Sequence, residues 1–170
     1  MYYYINSLYF FSLFGFILES TVYKIKKSKR YSSIFYGPIT MVYGFGVLFL
    51  ILIKKHILDK IKINPLPKLI LTFIISTITL TLTELIGGIV LNKLFQIDMW
   101  NYTNKPLNIG KYICLELALI WGFLGTIYIY FLKDFFDKFI NLIPKKLTIT
   151  IIIINLIDTI FVFINKFPYW

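Results

Sequence analysis

The sequence predicts an all-α fold, a polytopic membrane bundle of about five transmembrane helices. Three observations predict it. The hydrophobic fraction is 58% and the mean hydropathy +0.76, where ordinary globular domains are near half apolar. Charged residues make up 15% of the chain, against about a quarter in such domains. The apolar residues also gather into five runs, at about 4–23, 35–53, 69–95, 112–132 and 147–165. Each is near the ~20 residues needed to cross ~30 Å of hydrocarbon at ~1.5 Å per residue.

The 170 residues read as one integral membrane domain. The first run, YINSLYFFSLFGFILES, has no basic leader and no small-x-small cleavage site, and it carries Glu19. It therefore reads as a span and not as a removable signal. The second is interrupted by Gly37, Pro38, Gly44 and Gly46, which predicts a broken or re-entrant start. The third is the longest and is expected to tilt or to extend past the interface. Tyr2–Tyr4, Tyr31, Tyr36, Trp100, Tyr102, Tyr169 and Trp170 sit at span ends, as an aromatic belt requires. Cys114 is the single cysteine and reads as a packing residue.

The net charge of +10 does not point to nucleic acid. The 18 lysines and arginines lie in short loops, where they retain the loops and meet anionic headgroups. Nine fall on each side of the membrane, so the basic count leaves orientation undecided; the dense cluster KIKKSKR after the first span favours an outside N-terminus. The loops at 24–34 and 96–111 share one side in either case. The chain is read as a multi-pass protein of the bacterial cytoplasmic membrane, with the lipid bilayer as its first partner.

Four of the eight acids lie inside apolar runs: Glu19, Glu84, Glu116 and Asp158. A carboxylate in hydrocarbon costs at least roughly 2.5–3.5 kcal/mol, so such residues face a bundle interior or a wet cavity. Glu19, Glu116 and Asp158 lie one or two turns from the face of the two shared loops, and Glu84 roughly 14 Å deep. They suggest a carboxylate-lined cavity with a basic rim. Thr77, Thr81, Glu84 and Gly88 fall on one helical stripe, and Ser12, Gly15 and Glu19 on another. Small and polar stripes also serve as packing seams, which is the alternative reading of the same residues.

Two loops look specified. One runs from Arg30 through Gly37-Pro38 to Tyr43-Gly44; the other from Met99 through Trp100, Tyr102, Pro106, Asn108 and Lys111 to Glu116. The second is dense in hydrogen-bonding groups and is expected to form a structured cap. With Glu19, Glu84, Cys114, Trp121 and Gly122, these residues resemble the type-IV ABC-transporter permeases, the CmpB-type membrane proteins. The resemblance spans most of 9–165. Asn101 stands where the family usually has aspartate, and Lys111 where it usually has arginine.

The resemblance implies a permease-like protein that binds or moves a small polar or cationic solute. Glu19, Glu84, Glu116 and Asp158 would line the cavity, and Arg30, Tyr43, Trp100, Tyr102, Asn108 and Lys111 would form its rim or gate. Five spans are few for a complete pathway, so a homo-oligomer or a partner membrane subunit is expected, with a separate ATPase as an energy source. The chain has no phosphate-binding GxxxxGK[ST] loop, no metal-ligand set and no expected cofactor. His56 is its only histidine and lies in the opposite loop, so the reading leans away from an enzyme. A membrane enzyme acting on a lipid or isoprenoid headgroup, and a non-catalytic assembly subunit, are the alternatives.

Overall fold

The computed structural model describes residues 1–27 and 32–166. Arg30, Tyr31, Tyr169 and Trp170 lie outside the described residues. Helices dominate: α1 (Tyr2–Ile25), α2 (Met41–His56), α3 (Pro65–Phe95), α4 (Leu115–Ile127), α5 (Lys133–Asn141) and α6 (Lys145–Lys166). A 3₁₀ turn (Leu58–Lys60) extends α2, and one π-helical turn (Tyr128–Leu132) joins α4 to α5. Among the described residues, five stretches are long and apolar enough to span a membrane: Tyr2–Ile25, Met41–Lys60, Pro65–Phe95, Leu115–Asn141 and Lys145–Asn165. The chain is a multi-pass membrane protein.

Local chemistry sets the helix ends. Asn64 precedes Pro65 at the head of α3, where proline's missing N–H costs nothing. Gln96 closes α3 in the left-handed region with φ 50°. The 31 residues of α3 rise roughly 46 Å, more than the hydrocarbon needs.

The second span differs from its expected bounds. Residues 35–40 are not helical, and α2 begins at Met41. Proline disfavours helix in the residue before it, and this stretch finds its hydrogen bonds elsewhere. Thr40 donates its amide to the Ser12 carbonyl at 3.0 Å and its hydroxyl to the Ser32 carbonyl at 2.8 Å. Irregular backbone is tolerated at membrane depth when protein partners satisfy it. From Met41 the helix runs unbroken through Gly44 and Gly46.

Gly44 and Gly15 are packing devices. A Cβ on Gly44 would lie 2.2 Å from the Leu8 carbonyl oxygen, and one on Gly15 2.2 Å from the Tyr43 ring. α1 and α2 therefore cross at backbone distance. α3 and α4 do the same where Gly122 meets Thr77. Both stripes thus meet neighbouring helices, and Ser12, Thr72, Ser76 and Thr83 are buried. The outer surface is apolar, as in Ile70, Ile78, Ile86, Phe123 and Ile154. An apolar exterior over small-residue seams is the expected pattern where lipid replaces water.

An apolar core of Phe11, Leu50, Ile51, Leu58, Tyr128, Ile129 and Ile140 closes the bundle at the end opposite the 96–114 loop. α6 is peripheral and is held to α1 by polar contacts. Thr148 donates to Asn6 at 2.6 Å and Tyr9 to Asn155 at 3.3 Å.

Candidate functional site

The loop after α3 folds into a cap. Asn108–Ile109 and Ile113–Cys114 pair as an antiparallel hairpin, turned by Gly110 at φ 63°. Tyr102 donates its amide to the Lys111 carbonyl at 2.8 Å, which carries the loop back over the bundle. Asn101 Oδ1 accepts from the Thr103 amide at 3.0 Å and from its hydroxyl at 2.8 Å. An aspartate would accept both bonds equally well, so an acid at this position would keep the turn.

Beneath this cap lies a cavity of about 250 Å³ between α1, α2, α3 and α4. Glu84 is 8% exposed and reaches it from α3. Its Oε1 accepts from the Tyr102 hydroxyl at 2.7 Å, and its Oε2 from Trp121 Nε1 at 2.9 Å. One donor comes from the cap and one from α4, so the carboxyl ties the loop to the bundle. Burial, then the charge of Glu84, push the Tyr102 hydroxyl's pKa up, which keeps it a donor. Glu19 enters from α1 and accepts from Tyr23 at 2.9 Å. Tyr43 on α2 packs edge-on against Trp121 with ring centres 5.8 Å apart. Trp100 completes the wall beside Gly87.

The remaining predicted residues are elsewhere. Glu116 is 53% exposed in the first turn of α4 and pairs with Lys105 at 2.8 Å. It is a cap residue because it precedes the turn that points inward. Asp158 lies on α6, where Oδ1 accepts the Tyr36 amide at 3.0 Å and Oδ2 the Gly37 amide at 2.8 Å. It holds the 35–40 stretch. Of the four acids, then, Glu19 and Glu84 share the cavity, and Glu116 and Asp158 do not line it. The expected convergence of all four is corrected accordingly: a shared depth in the membrane does not give a shared azimuth around the bundle.

The expected rim also divides. Trp100, Tyr102 and Tyr43 line the cavity itself, so Tyr43 is a wall residue and not a rim residue. Asn108 is exposed and donates to the Gly110 carbonyl at 2.8 Å. Lys111 pairs with Asp98. Arg30 lies outside the described residues. Asp98 was not singled out by the sequence reading, yet it ties the cap to α3: it also accepts from Tyr112 at 2.8 Å and Asn92 at 3.0 Å. The Lys111 hydrogen bond holds its carboxyl below the usual range. Burial, and then Asp98, push the Tyr112 hydroxyl up to about 12. The proximity of Asp98 to the Trp100-Asn101-Tyr102 motif was the available signal.

Below the carboxylates the cavity is apolar. Trp121, Gly125, Tyr128, Leu132 and Phe136 line it from one face of α4, the π turn and α5. They fall at i, i+4, i+7, i+11 and i+15, a single helical stripe. Two buried atoms on residues of the wall, Trp100 Nε1 and the Tyr128 hydroxyl, have no hydrogen-bond partner among the described residues.

Comparison with known proteins matches residues 7–165 to the family described as "Putative ABC-transporter type IV". The chain belongs to that family. No curated protein and no solved structure matches it. The family match agrees with the resemblance carried by Glu19, Gly37-Pro38, Glu84 and the Trp100–Glu116 loop. Among the described residues, no group of His, Cys, Asp or Glu side chains is placed to hold a metal ion.

Proposed function

We propose that this membrane protein is a permease-like subunit that binds or moves a small cationic solute through the cavity under the 96–114 cap. The observation that carries the reading is the pair Glu19 and Glu84, presented to one cavity from two helices. Carboxylates at membrane depth are retained where they serve a pathway or a bound charge. Glu84 is the central group and Glu19 its partner; Tyr102 and Trp100 form the gate, because the Tyr102–Glu84 bond must break for the cap to lift. Membership of an ABC-transporter family supports a separate ATPase as the energy source, and five spans support assembly with a second copy or a partner subunit. The bacterial cytoplasmic membrane is the proposed location.

The test is uptake of radiolabelled tetramethylammonium into proteoliposomes, with and without a candidate ATPase. Glu84→Gln keeps the shape and most of the hydrogen bonding while removing the charge. It is expected to fold normally and to lose saturable uptake at least tenfold, roughly 1.4 kcal/mol or more of lost interaction. Full uptake in Glu84→Gln returns the carboxyl to a packing role.

A further inference from the structure

The cavity is longer than a small solute requires. From Trp121 to Phe136 its α4–α5 wall rises roughly 22 Å, most of a bilayer's hydrocarbon thickness. Its polar groups gather at one end, where Glu19 and Glu84 stand beside the rings of Tyr43, Trp100, Tyr102 and Trp121. Carboxylates with several aromatic faces make the chemistry that recognises an alkylated ammonium, through charge and through the ring quadrupoles. A phosphate or sulfate head would meet two carboxyl groups and no basic side chain in this lining.

The rest of the wall is hydrocarbon, including Phe14, Leu18, Val47, Leu124, Leu132 and Phe136. Phe14, Leu18, Leu124 and Leu132 line the cavity yet are 39–44% or 45% exposed. They sit on α1 and on the α4 side, so the hollow opens sideways between these elements toward the bilayer. The Tyr128 ring lines the apolar stretch, 94% of its surface is buried (6% exposed) and its hydroxyl is unpartnered.

We infer that the cavity takes an amphiphilic cation, with an ammonium head between Glu19 and Glu84 and an alkyl tail laid along the apolar cleft. The tail enters from the bilayer through the gap between α1 and α4. This rests on the proposed cation site and adds the substrate class: a single-chain lipophilic ammonium compound, in preference to a small hydrophilic ion.

The experiment is calorimetric titration of the full chain in nanodiscs, with empty nanodiscs subtracted to remove membrane partition. The probes are tetramethylammonium, octyltrimethylammonium and dodecyltrimethylammonium, with dodecyl sulfate as the anionic control. Saturable affinity should rise at least tenfold from tetramethylammonium to the dodecyl compound, and dodecyl sulfate should not bind. Leu124→Trp, which fills the passage between head and tail, should weaken the dodecyl compound tenfold and leave tetramethylammonium unchanged. Leu132→Trp, further down the cleft, repeats the test should the first variant misfold. Equal binding of short and long cations overturns the amphiphile while leaving the cation site standing. Binding of none of the three cations overturns both readings. Binding of dodecyl sulfate overturns the charge preference, and dodecyl affinity unaltered in the folded Trp variants removes the tail from the cleft.

Discussion

Glu84 and Asp158 invite comparison because their sequence settings are so alike. Each is an acid in a long apolar helix, and in the structure each spends both carboxyl oxygens on two donors. The donors differ. Asp158 accepts two consecutive backbone amides, of Tyr36 and Gly37. It supplies bonds to a stretch of chain that forms no helix, and side-chain variation at 36 or 37 leaves those donors in place. Glu84 accepts from two side chains, Tyr102 and Trp121, one of them on the cap above the cavity. Its bonds can be exchanged for bonds to a ligand if the cap moves. An acid inside a span is therefore a pointer to something polar nearby, and the kind of donor separates an internal staple from a candidate site.

Removing the staple should have the largest effect on the fold. Asp158→Leu leaves the amides of Tyr36 and Gly37 without their acceptor. It should lower stability by about 0.5–1.5 kcal/mol, the net worth of a typical hydrogen bond, read as thermal unfolding in detergent. Cation uptake by the fraction that remains folded should be retained. Normal stability with lost uptake would falsify the assignment of Asp158 as a staple and make it a second Glu84.

A smaller effect is expected at the third acid. Glu116 and Lys105 form an exposed pair on the cap, and exposed pairs are weak and screened by salt. Glu116→Gln should lower the melting temperature slightly at low ionic strength, with the difference vanishing at high salt. A salt-independent loss places Glu116 with the buried acids. Smallest of all is Asn101→Asp. The turn needs only an acceptor at this position, so stability should stay within about ±0.5 kcal/mol, and uptake should not change. A gain of activity in that variant would mean that the family's usual acid does more than hold the turn.

Much of the architecture was legible in the residues. Hydropathy located the five spans, because ~20 apolar residues have few alternatives to crossing a bilayer as helix. The stripes Ser12-Gly15-Glu19 and Thr77-Thr81-Glu84-Gly88 marked faces that do meet other elements, at Gly44 and Tyr43 on α2, Gly122 on α4 and Tyr112 on the cap. Composition could not say where α2 would start. Gly37-Pro38 announced a break, but the six residues from 35 to 40 stay non-helical because α1 and α6 satisfy their backbone.

By itself the sequence determined the membrane class, the five spans and the family, since these follow from local hydropathy and motif spacing. Only the tertiary structure decided which acids share a cavity. Helical depth is a property of one chain segment, but the azimuth at which Glu19 and Glu84 reach one cavity depends on how α1, α2, α3 and α4 cross. That crossing is set by glycines meeting side chains and carbonyls on other helices, a relation between segments far apart in the chain. For the same reason Asp158 became a staple: its partners, 121 and 122 residues away, have no signature near it in the sequence.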